Sequence, residues 1–128
     1  YDLVCPSRFI AGGKMEGNPI VKEILTRLAS LFFQYFTTLP IKDSTNSFRL
    51  FSRKFLNKVN KFESSKGFTL SLELTAKAHR MGFEMIEIPS VWIERKIGES
   101  RFRLFKFLPP YIKWLFFIIQ TSIFYRKK

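Results

Sequence analysis

The sequence predicts one α/β domain that ends in a strongly apolar helical tail. The chain has 128 residues, which is enough for one hydrophobic core but not for two. Hydrophobic residues make up 46% of it, which argues against disorder. Their spacing changes between that of strands and that of helices along the chain. Strands and helices that alternate in this way are typical of α/β folds.

The charge of the chain favours an anionic partner. Lys and Arg total 22 against 10 Asp and Glu, which gives a net charge of +12. Such an excess suits nucleic acid, phosphate-rich ligands or an acidic membrane surface. The lone Cys5 cannot form an internal disulfide, and the sequence has no cluster of Cys and His for a structural zinc ion. A reducing compartment fits this cysteine usage.

The first half of the chain has the pattern of a strand, a loop and a helix. Residues 1–5 resemble a buried strand already in progress that ends at Pro6, so we expect the N-terminus to cut through a fold. Three glycines and a proline predict a loop over residues 8–19. From Ile20 to Phe36 the apolar residues recur at helical spacing. The apolar face is wide, which predicts a well-buried helix.

The second half predicts shorter elements that are bounded by turn residues. They are an extended segment over 48–51, a short helix from an N-cap at Ser52 through Val59, a helix over 67–80 that stops at Gly82, and strands over 83–88 and 91–95. In the last strand, alternation puts Trp92 and Glu94 on the opposite face from Val91 and Ile93.

Residues 105–128 form the tail, which we separate from the domain of residues 1–104. The tail is rich in Phe, Ile and Leu, but Lys113 and Gln120 interrupt it and two prolines break its start. Its longest apolar run is far shorter than the roughly 20 residues needed to span a bilayer. The pattern favours an amphipathic interfacial or juxtamembrane helix, while a core helix and a span that continues beyond the tail stay open. The aromatic residues expected at headgroup level are Tyr111, Trp114 and Tyr125.

Three short segments combine cations with turn residues. In the first, Arg8 leaves a strand end into a glycine loop, where its fork and the exposed backbone N–H groups suit a phosphate. In the second, Asp43 begins a self-capped turn, and it can instead act as a base or reach a metal. Arg49 in that segment can pair with Asp43 or with a phosphate. The third segment, residues 94–101, is densely charged and adjoins the tail. Each segment alone also fits an ordinary solvated turn.

The order and spacing of these segments resemble a known family. The landmarks are Ser7-Arg8-Phe9, Glu16-Gly17 before a helix, Asp43 followed by Phe48-Arg49, Gly67-Phe68 before a helix with Glu73-Leu74, Gly98-Glu99-Ser100, and the apolar tail. Over essentially its whole length the chain is similar to the family 2 glycosyltransferases that act on polyprenyl phosphates, of the dolichol-phosphate mannose synthase kind. The resemblance implies the C-terminal part of a GT-A nucleotide-diphospho-sugar transferase fold. It also implies an inverting transfer from a GDP- or UDP-linked sugar to a polyprenyl phosphate at the cytoplasmic face of a membrane.

The resemblance implies a set of site residues as well. Contacts to phosphate or acceptor are implied at Arg8, Lys22, Thr26, Arg95 and Ser100. Lys22 stands where the family usually has an arginine, so the charge is kept but the bidentate fork is lost. Asp43 matches the family aspartate near the metal and the reacting centre. Glu73 occupies the position of an acidic catalytic base, although an ionised phosphate acceptor needs little deprotonation, which favours a structural role instead.

Two departures from the family pattern bear on function. Ser44 and Ser47 stand where the family often has proline and glycine, which changes the turn and suggests a variant subgroup. No Asp-x-Asp motif occurs, although the family holds a divalent metal, Mg²⁺ or Mn²⁺, and the nucleotide diphosphate with one. We therefore expect those ligands to lie outside this chain and residues 1–128 alone to be inactive.

A rival interpretation is a basic module without catalysis, or an inactive truncated remnant, that binds an anionic membrane or a polyanion. The aromatic residues argue against nucleic acid as a partner. Most of them lie at core spacing or in the tail. Stacking platforms for nucleic acid instead interleave aromatic side chains with cations on one face.

Overall fold

The computed structural model describes residues 1–64, 67–95 and 104–126. These residues form a mixed α/β arrangement with a C-terminal helix, as the sequence predicts. In chain order the elements are β1 (Leu3–Ser7), β2 (Lys14–Glu16), α1 (Ile20–Phe36), β3 (Leu50–Phe51), α2 (Arg53–Leu56), α3 (Gly67–Arg80), β4 (Met85–Pro89), β5 (Val91–Ile93) and α4 (Leu104–Arg126).

β1 is the central strand of a three-stranded sheet in the order β3-β1-β4. It pairs antiparallel with β3, where Leu3 lies opposite Phe51. It pairs parallel with β4, from Leu3 opposite Met85 to Ser7 opposite Pro89. Because β1 and β4 are parallel, their carboxyl ends lie at the same edge of the sheet. The loops that leave this edge therefore meet in space.

A second, two-stranded parallel sheet continues from that edge. β2 pairs with β5 so that Lys14 lies opposite Val91 and Glu16 lies opposite Ile93. Ser90, between β4 and β5, joins the two sheets, since its N–H donates to the carbonyl of Ser7 at 2.9 Å and its carbonyl accepts the N–H of Lys14 at 3.1 Å. The expected loop over residues 8–19 therefore contains a strand. Three residues are too few to show alternation, and β2 depends on β5, which is distant in sequence.

The core lies between the three-stranded sheet, α2, α3 and α4. Burying each large apolar side chain there stabilises the fold by about 1.5–3 kcal/mol. The largest fully buried apolar side chains are Leu3, Ile41, Phe55, Leu72, Trp114 and Ile118. The expected N-cap of α2 is confirmed, since the backbone N–H of Phe55 donates to Ser52 Oγ at 3.0 Å, although α2 ends earlier than expected, at Leu56.

α1 has the predicted bounds, but the prediction that it is well buried is wrong. Within α1 only Ser30 and Phe33 are buried. The remaining large apolar side chains lie 40–76% exposed, because no element among the described residues covers them. We call this surface the α1 apolar face, and its residues are Ile20, Val21, Ile24, Leu25, Leu28, Leu31, Phe32, Tyr35 and Phe36.

The tail helix α4 packs against α3 and differs from the expectation in two ways. Trp114, expected at headgroup level, is 2% exposed, and its Nε1 donates to Ser64 Oγ at 3.2 Å. Tyr111 packs against the same core, whereas Tyr125 is exposed. The helix also continues through Pro109 and Pro110, where a break was expected. Proline has a helix-compatible φ, and the packing of α4 on α3 compensates for the hydrogen bonds lost.

The outer side of α4 remains apolar and exposed, so an interfacial role for it stays a prediction. Its exposed side chains are Leu108, Ile112, Phe116, Ile123 and Phe124. Across the described ranges, no helix combines the length and the apolar character needed to cross a bilayer.

Gly82 ends α3 as predicted and gives a stability test. Its φ of +72° lies in the left-handed region, and its N–H donates to the His79 carbonyl at 3.1 Å while Phe83 N–H donates to Ala78 at 3.0 Å. We expect Gly82→Ala to lower the free energy of unfolding by about 1–2 kcal/mol through backbone strain. An added Cβ would meet only the Tyr125 hydroxyl, at an ordinary 3.6 Å.

The matched control is Gly82→Asn, because asparagine tolerates the left-handed region better than alanine. Urea unfolding of the two variants beside the parent protein measures both changes. A loss for alanine that is no larger than the loss for asparagine would contradict the assignment of strain.

Candidate anion-binding site

The end of β1 carries a buried ion pair between Arg8 and Asp43. Arg8 Nε donates to Asp43 Oδ2 and Arg8 Nη2 donates to Oδ1, both at 2.7 Å. The two side chains are 6% and 0% exposed. Nη2 also donates to Thr45 Oγ1 at 2.7 Å. A bidentate pair of this kind is strong and fixes geometry, and a buried guanidinium requires such a partner.

The carboxylate of Asp43 is fully engaged by the protein. Besides the side chain of Arg8, it accepts the backbone N–H of Arg8 at 3.0 Å and that of Asn46 at 3.2 Å. Burial alone would raise the pKa of Asp43, but the hydrogen bonds and charge of Arg8 outweigh it and hold the pKa below its ordinary value of 3.8. Asp43 is therefore ionised at neutral pH and has the geometry of a positioning group. A catalytic role for it stays a prediction.

Arg49 shapes the turn that begins at Asp43. Arg49 as a whole is 8% exposed. Its guanidinium donates to the backbone carbonyls of Ser44 at 2.8 Å and Asn46 at 3.1 Å, and it contacts Thr75 Oγ1 on α3. It also donates to the carbonyl of Asp43 at 3.3 Å rather than to its carboxylate. The expected pairing of Arg49 with the Asp43 carboxylate is therefore wrong, and pairing with a phosphate stays a prediction. The turn itself is self-capped as predicted, since Asp43 Oδ1 accepts the N–H of Asn46.

Gly13 lets the loop after β1 pass directly over the strand end. A Cβ at this position would lie 2.4 Å from the Ser7 carbonyl oxygen and 2.9 Å from the backbone carbon of Arg8. No side chain fits at such distances without moving the backbone of Arg8. The close approach therefore contributes to the position of the buried ion pair.

A second ion pair joins the start of α1 to the residue after β5. Lys22 Nζ donates to the two carboxylate oxygens of Glu94 at 2.8 and 2.6 Å, and both side chains are partly exposed. Trp92 Nε1 donates to Glu94 Oε2 at 3.3 Å, which agrees with the predicted placement of these two residues on one face of the strand. The hydrogen bonds from Lys22 lower the pKa of Glu94. An ammonium group has three donors, so Lys22 keeps one for a further acceptor.

Trp92 lies between the two ion pairs. The guanidinium carbon of Arg8 is 5.8 Å from the centroid of the Trp92 ring and 5.1 Å from that of Phe9, within the range of cation–π attraction. Residues from the ends of β1 and β5, the start of α1 and the turn after α1 thus form one connected set. We call this set the edge cluster, and it consists of Arg8, Lys22, Asp43, Trp92 and Glu94.

Two further residues expected at the site lie beside the edge cluster. Thr26 follows Lys22 by one helical turn, and its hydroxyl is within 2.9 Å of the backbone carbonyls of Lys22 and Glu23. Its hydrogen is used inside the helix, so in this conformation Thr26 offers an acceptor rather than a donor. Arg95 follows Glu94 in the chain and is exposed. Ser100 lies outside the described residues.

Glu73 is not part of the edge cluster. It is fully buried and accepts the backbone N–H groups of Glu63 at 2.9 Å and Ser64 at 2.6 Å, and Lys77 Nζ at 2.6 Å. Thr75, two residues later, faces Arg49, so Glu73 points to another side of α3. Burial raises the pKa of Glu73, but the hydrogen bonds outweigh it and lower the pKa below 4.5. These contacts anchor the chain before α3, and a catalytic role for Glu73 stays a prediction.

The described residues do not fit a divalent metal. Within residues 1–64, 67–95 and 104–126, no three side chains of His, Cys, Asp or Glu are grouped so that they could hold a metal ion. Asp43, the acidic residue that the family resemblance puts near a metal, already has Arg8 across both its oxygens. We therefore derive no step through a metal at this site.

The contacts of two acidic residues, Glu94 and Glu87, were not predicted from the sequence. The place of Glu94 had a usable signal, because strand alternation puts it beside Trp92 in a charged segment. Glu87, whose Oε1 accepts the backbone N–H of Asp43 at 2.9 Å, had none. Its place depends on the parallel pairing of β4 with β1, which no local pattern reveals.

The buried ion pair predicts an acid-sensitive contribution to stability. The pKa of Asp43 is lower in the folded than in the unfolded state, so its contribution is fully present above about pH 3.8 and is lost as pH falls through the lower folded pKa. We expect Asp43→Asn to cost about 3–5 kcal/mol, because it leaves the guanidinium of Arg8 buried without a counter-ion. Urea unfolding at neutral and acid pH should show the variant losing less on acidification.

The control for this prediction is Glu23→Gln, which removes an exposed ion pair with Arg27 inside α1. Such a pair contributes only about 0.5 kcal/mol. Equal losses in the two variants would refute the assignment of Asp43 as a buried counter-ion.

Comparison with known proteins identifies relatives of the chain. No protein-family model matches it. It is 30% identical over 101 residues to the polyprenol monophosphomannose synthase of Mycolicibacterium smegmatis, which covers 78% of this chain and 38% of the relative. It is also 30% identical over 101 residues to the undecaprenyl-phosphate mannosyltransferase of Micrococcus luteus, which covers 78% of this chain and 42% of that protein.

The chain thus spans about two fifths of the length of the curated relatives that it matches. Both relatives are named as enzymes that join mannose to a polyprenyl phosphate, which agrees with the family that the sequence landmarks indicate. In its sequence landmarks and in these two relatives, the chain thus matches the polyprenyl-phosphate glycosyltransferases of the dolichol-phosphate mannose synthase kind.

Proposed function

We propose that this chain forms the acceptor-binding part of an inverting glycosyltransferase. The complete enzyme moves a sugar from a GDP- or UDP-linked donor to a polyprenyl phosphate at the cytoplasmic face of a membrane. The two relatives are named as a polyprenol monophosphomannose synthase and an undecaprenyl-phosphate mannosyltransferase, so mannose is the sugar to test first. The observation that carries the proposal is the edge cluster, where cations from separate segments meet beside an exposed apolar helix.

The cations of this region differ in whether they have donors left for a ligand. Arg8 already donates to Asp43 and Thr45, so we give it a structural role in the site. Lys22 is partly exposed and has a free donor, and Arg95 is exposed. A phosphate monoester carries about −1.5 to −2 charges at neutral pH, so it competes well with the single charge of Glu94 for Lys22. We assign the acceptor phosphate to Lys22 and Arg95.

The proposed reaction is a direct displacement. A lipid phosphate oxygen forms a bond to the anomeric carbon while the bond from that carbon to the nucleoside diphosphate breaks, with inversion of configuration. The acceptor is already ionised, so the task of this chain is to bind and orient its charge. A divalent metal, Mg²⁺ or Mn²⁺, belongs to the proposal only for the complete enzyme, with ligands outside the described residues.

The α1 apolar face supports a lipid as the acceptor. Leu25, 56% exposed, lies one helical turn from Lys22, and exposed apolar side chains continue to Phe36 at the end of α1. A polyprenyl phosphate has a charged head and a long apolar chain. On this surface Lys22 can contact the charged head, and the apolar side chains that follow it along α1 can contact the apolar chain. An amphipathic helix of this kind also suits the surface of a membrane.

Lys22 gives the most direct test of the acceptor site. In the complete enzyme, Lys22→Ala should raise the KM for polyprenyl phosphate at least about tenfold, since one charge-assisted hydrogen bond contributes about 1.5–3 kcal/mol. The KM for the nucleotide sugar should stay unchanged. Lys22→Arg keeps the charge and should retain near-parental values. Transfer of radiolabelled sugar at varied acceptor concentration measures these constants, and an unchanged acceptor KM for Lys22→Ala would remove the residue from the site.

Arg95 is tested in the same assay. Arg95→Ala should reduce transfer to lipid phosphate at least about tenfold, the loss expected for one electrostatic contact in the transition state. The matched control is Arg53→Ala, which removes an exposed arginine at the start of α2, outside the edge cluster. Equal turnover in the two variants would be inconsistent with the role assigned to Arg95.

A further inference from the structure

We propose that a basic groove between residues 58–61, α3 and α4 binds the headgroup phosphate of an acidic phospholipid and docks this face of the chain on the membrane. The groove is open and has a volume of about 190 Å³. It lies apart from the edge cluster and shares no residue with it. Its lining residues are Lys58, Val59, Asn60, Lys61, Lys77, Arg80, Met81 and Phe117.

The groove has an excess of positive charge without matching carboxylates. Four of its lining residues are cations and none is acidic. Lys77 pairs with Glu73 at 2.6 Å. Within the described part of the chain, Lys58, Lys61 and Arg80 form no ion pair, and all three are exposed. An anion entering the groove would therefore meet at least three cations without displacing a carboxylate from them.

Part of the groove lining is apolar, which favours a lipid over a free anion. Val59, Met81 and Phe117 supply this part, and the guanidinium carbon of Arg80 lies 4.4 Å from the centroid of the Phe117 ring. A neighbouring cavity of about 260 Å³ shares Arg80 and is lined also by Thr121, Phe124 and Tyr125. Cationic side chains beside apolar ones suit a molecule whose phosphate is attached to acyl chains. Inorganic phosphate has no apolar group that could contact the apolar side chains of the groove.

Exposed apolar side chains at the same end of the molecule extend this surface. Phe124 beside Arg80 is 71% exposed, and Phe36 at the end of α1 is 60% exposed. The ends of α1 and α4 lie close together, because the backbone N–H of Thr38, just after α1, donates to Ser122 Oγ in α4 at 2.8 Å. The groove thus adjoins side chains that can enter the interfacial layer of a bilayer while its cations stay at headgroup level.

The test is sedimentation of the intact protein with vesicles of phosphatidylcholine, with and without phosphatidylglycerol. The double variant Lys61→Gln/Arg80→Gln should bind the phosphatidylglycerol vesicles at least about tenfold more weakly, since each cation near an anionic surface contributes about fivefold. The control Lys14→Gln/Lys42→Gln removes the same charge from other parts of the surface and should keep most of the binding. Thermal unfolding checks that both variants are folded.

Equal weakening in the two double variants would mean that only net charge matters, and the groove would not be a site. Binding that is the same with and without phosphatidylglycerol would also overturn the proposal. If inorganic phosphate at matched ionic strength abolishes the difference between the variants, the groove is a phosphate site and the lipid assignment is wrong. The vesicles contain no polyprenyl phosphate, so this result is independent of the proposed sugar transfer.

Discussion

The buried ion pair between Arg8 and Asp43 is the interaction on which the candidate site depends. A guanidinium at the end of a central strand is costly to bury without a counter-ion. The chain after α1 returns to this strand end, where Asp43 supplies the carboxylate. That return brings Asn46 to the carbonyl of Pro6 at 2.8 Å and Arg49 to α3. One electrostatic requirement therefore joins the sheet edge, the turn after α1 and the helix behind it.

The buried ion pair also gives the cations of this region different roles. Because Arg8 is held by Asp43, its guanidinium has a fixed position beside the Trp92 ring, and Trp92 Nε1 donates to Glu94. Lys22 and Glu94 lie at the exposed side of this arrangement. In the proposed function, the buried pair supplies rigidity and the exposed pair exchanges partners with an incoming anion. The α1 apolar face would then contact the apolar part of the same ligand.

The sequence allowed local features to be predicted and left those that depend on distant partners undetermined. The bounds of α1 and α3 followed from helical spacing and from Gly82, whose left-handed φ ends α3. The burial of Trp114 and the exposure of α1 did not, because periodicity shows which residues share a face but not what covers it. Arg8 and Asp43 were each predicted to be site residues, yet their pairing was not predicted, since 35 positions separate them in the chain.

The most direct test of the acceptor site is a calorimetric titration of the intact protein with a short-chain prenyl phosphate and with the matching alcohol. Citronellyl phosphate and citronellol serve as this pair, because they differ only in the phosphate. The account predicts that the phosphate binds, that added salt weakens it, and that the alcohol gives no measurable heat. Comparable binding of the two compounds would contradict it, because the cations of the edge cluster would then play no part in recognition.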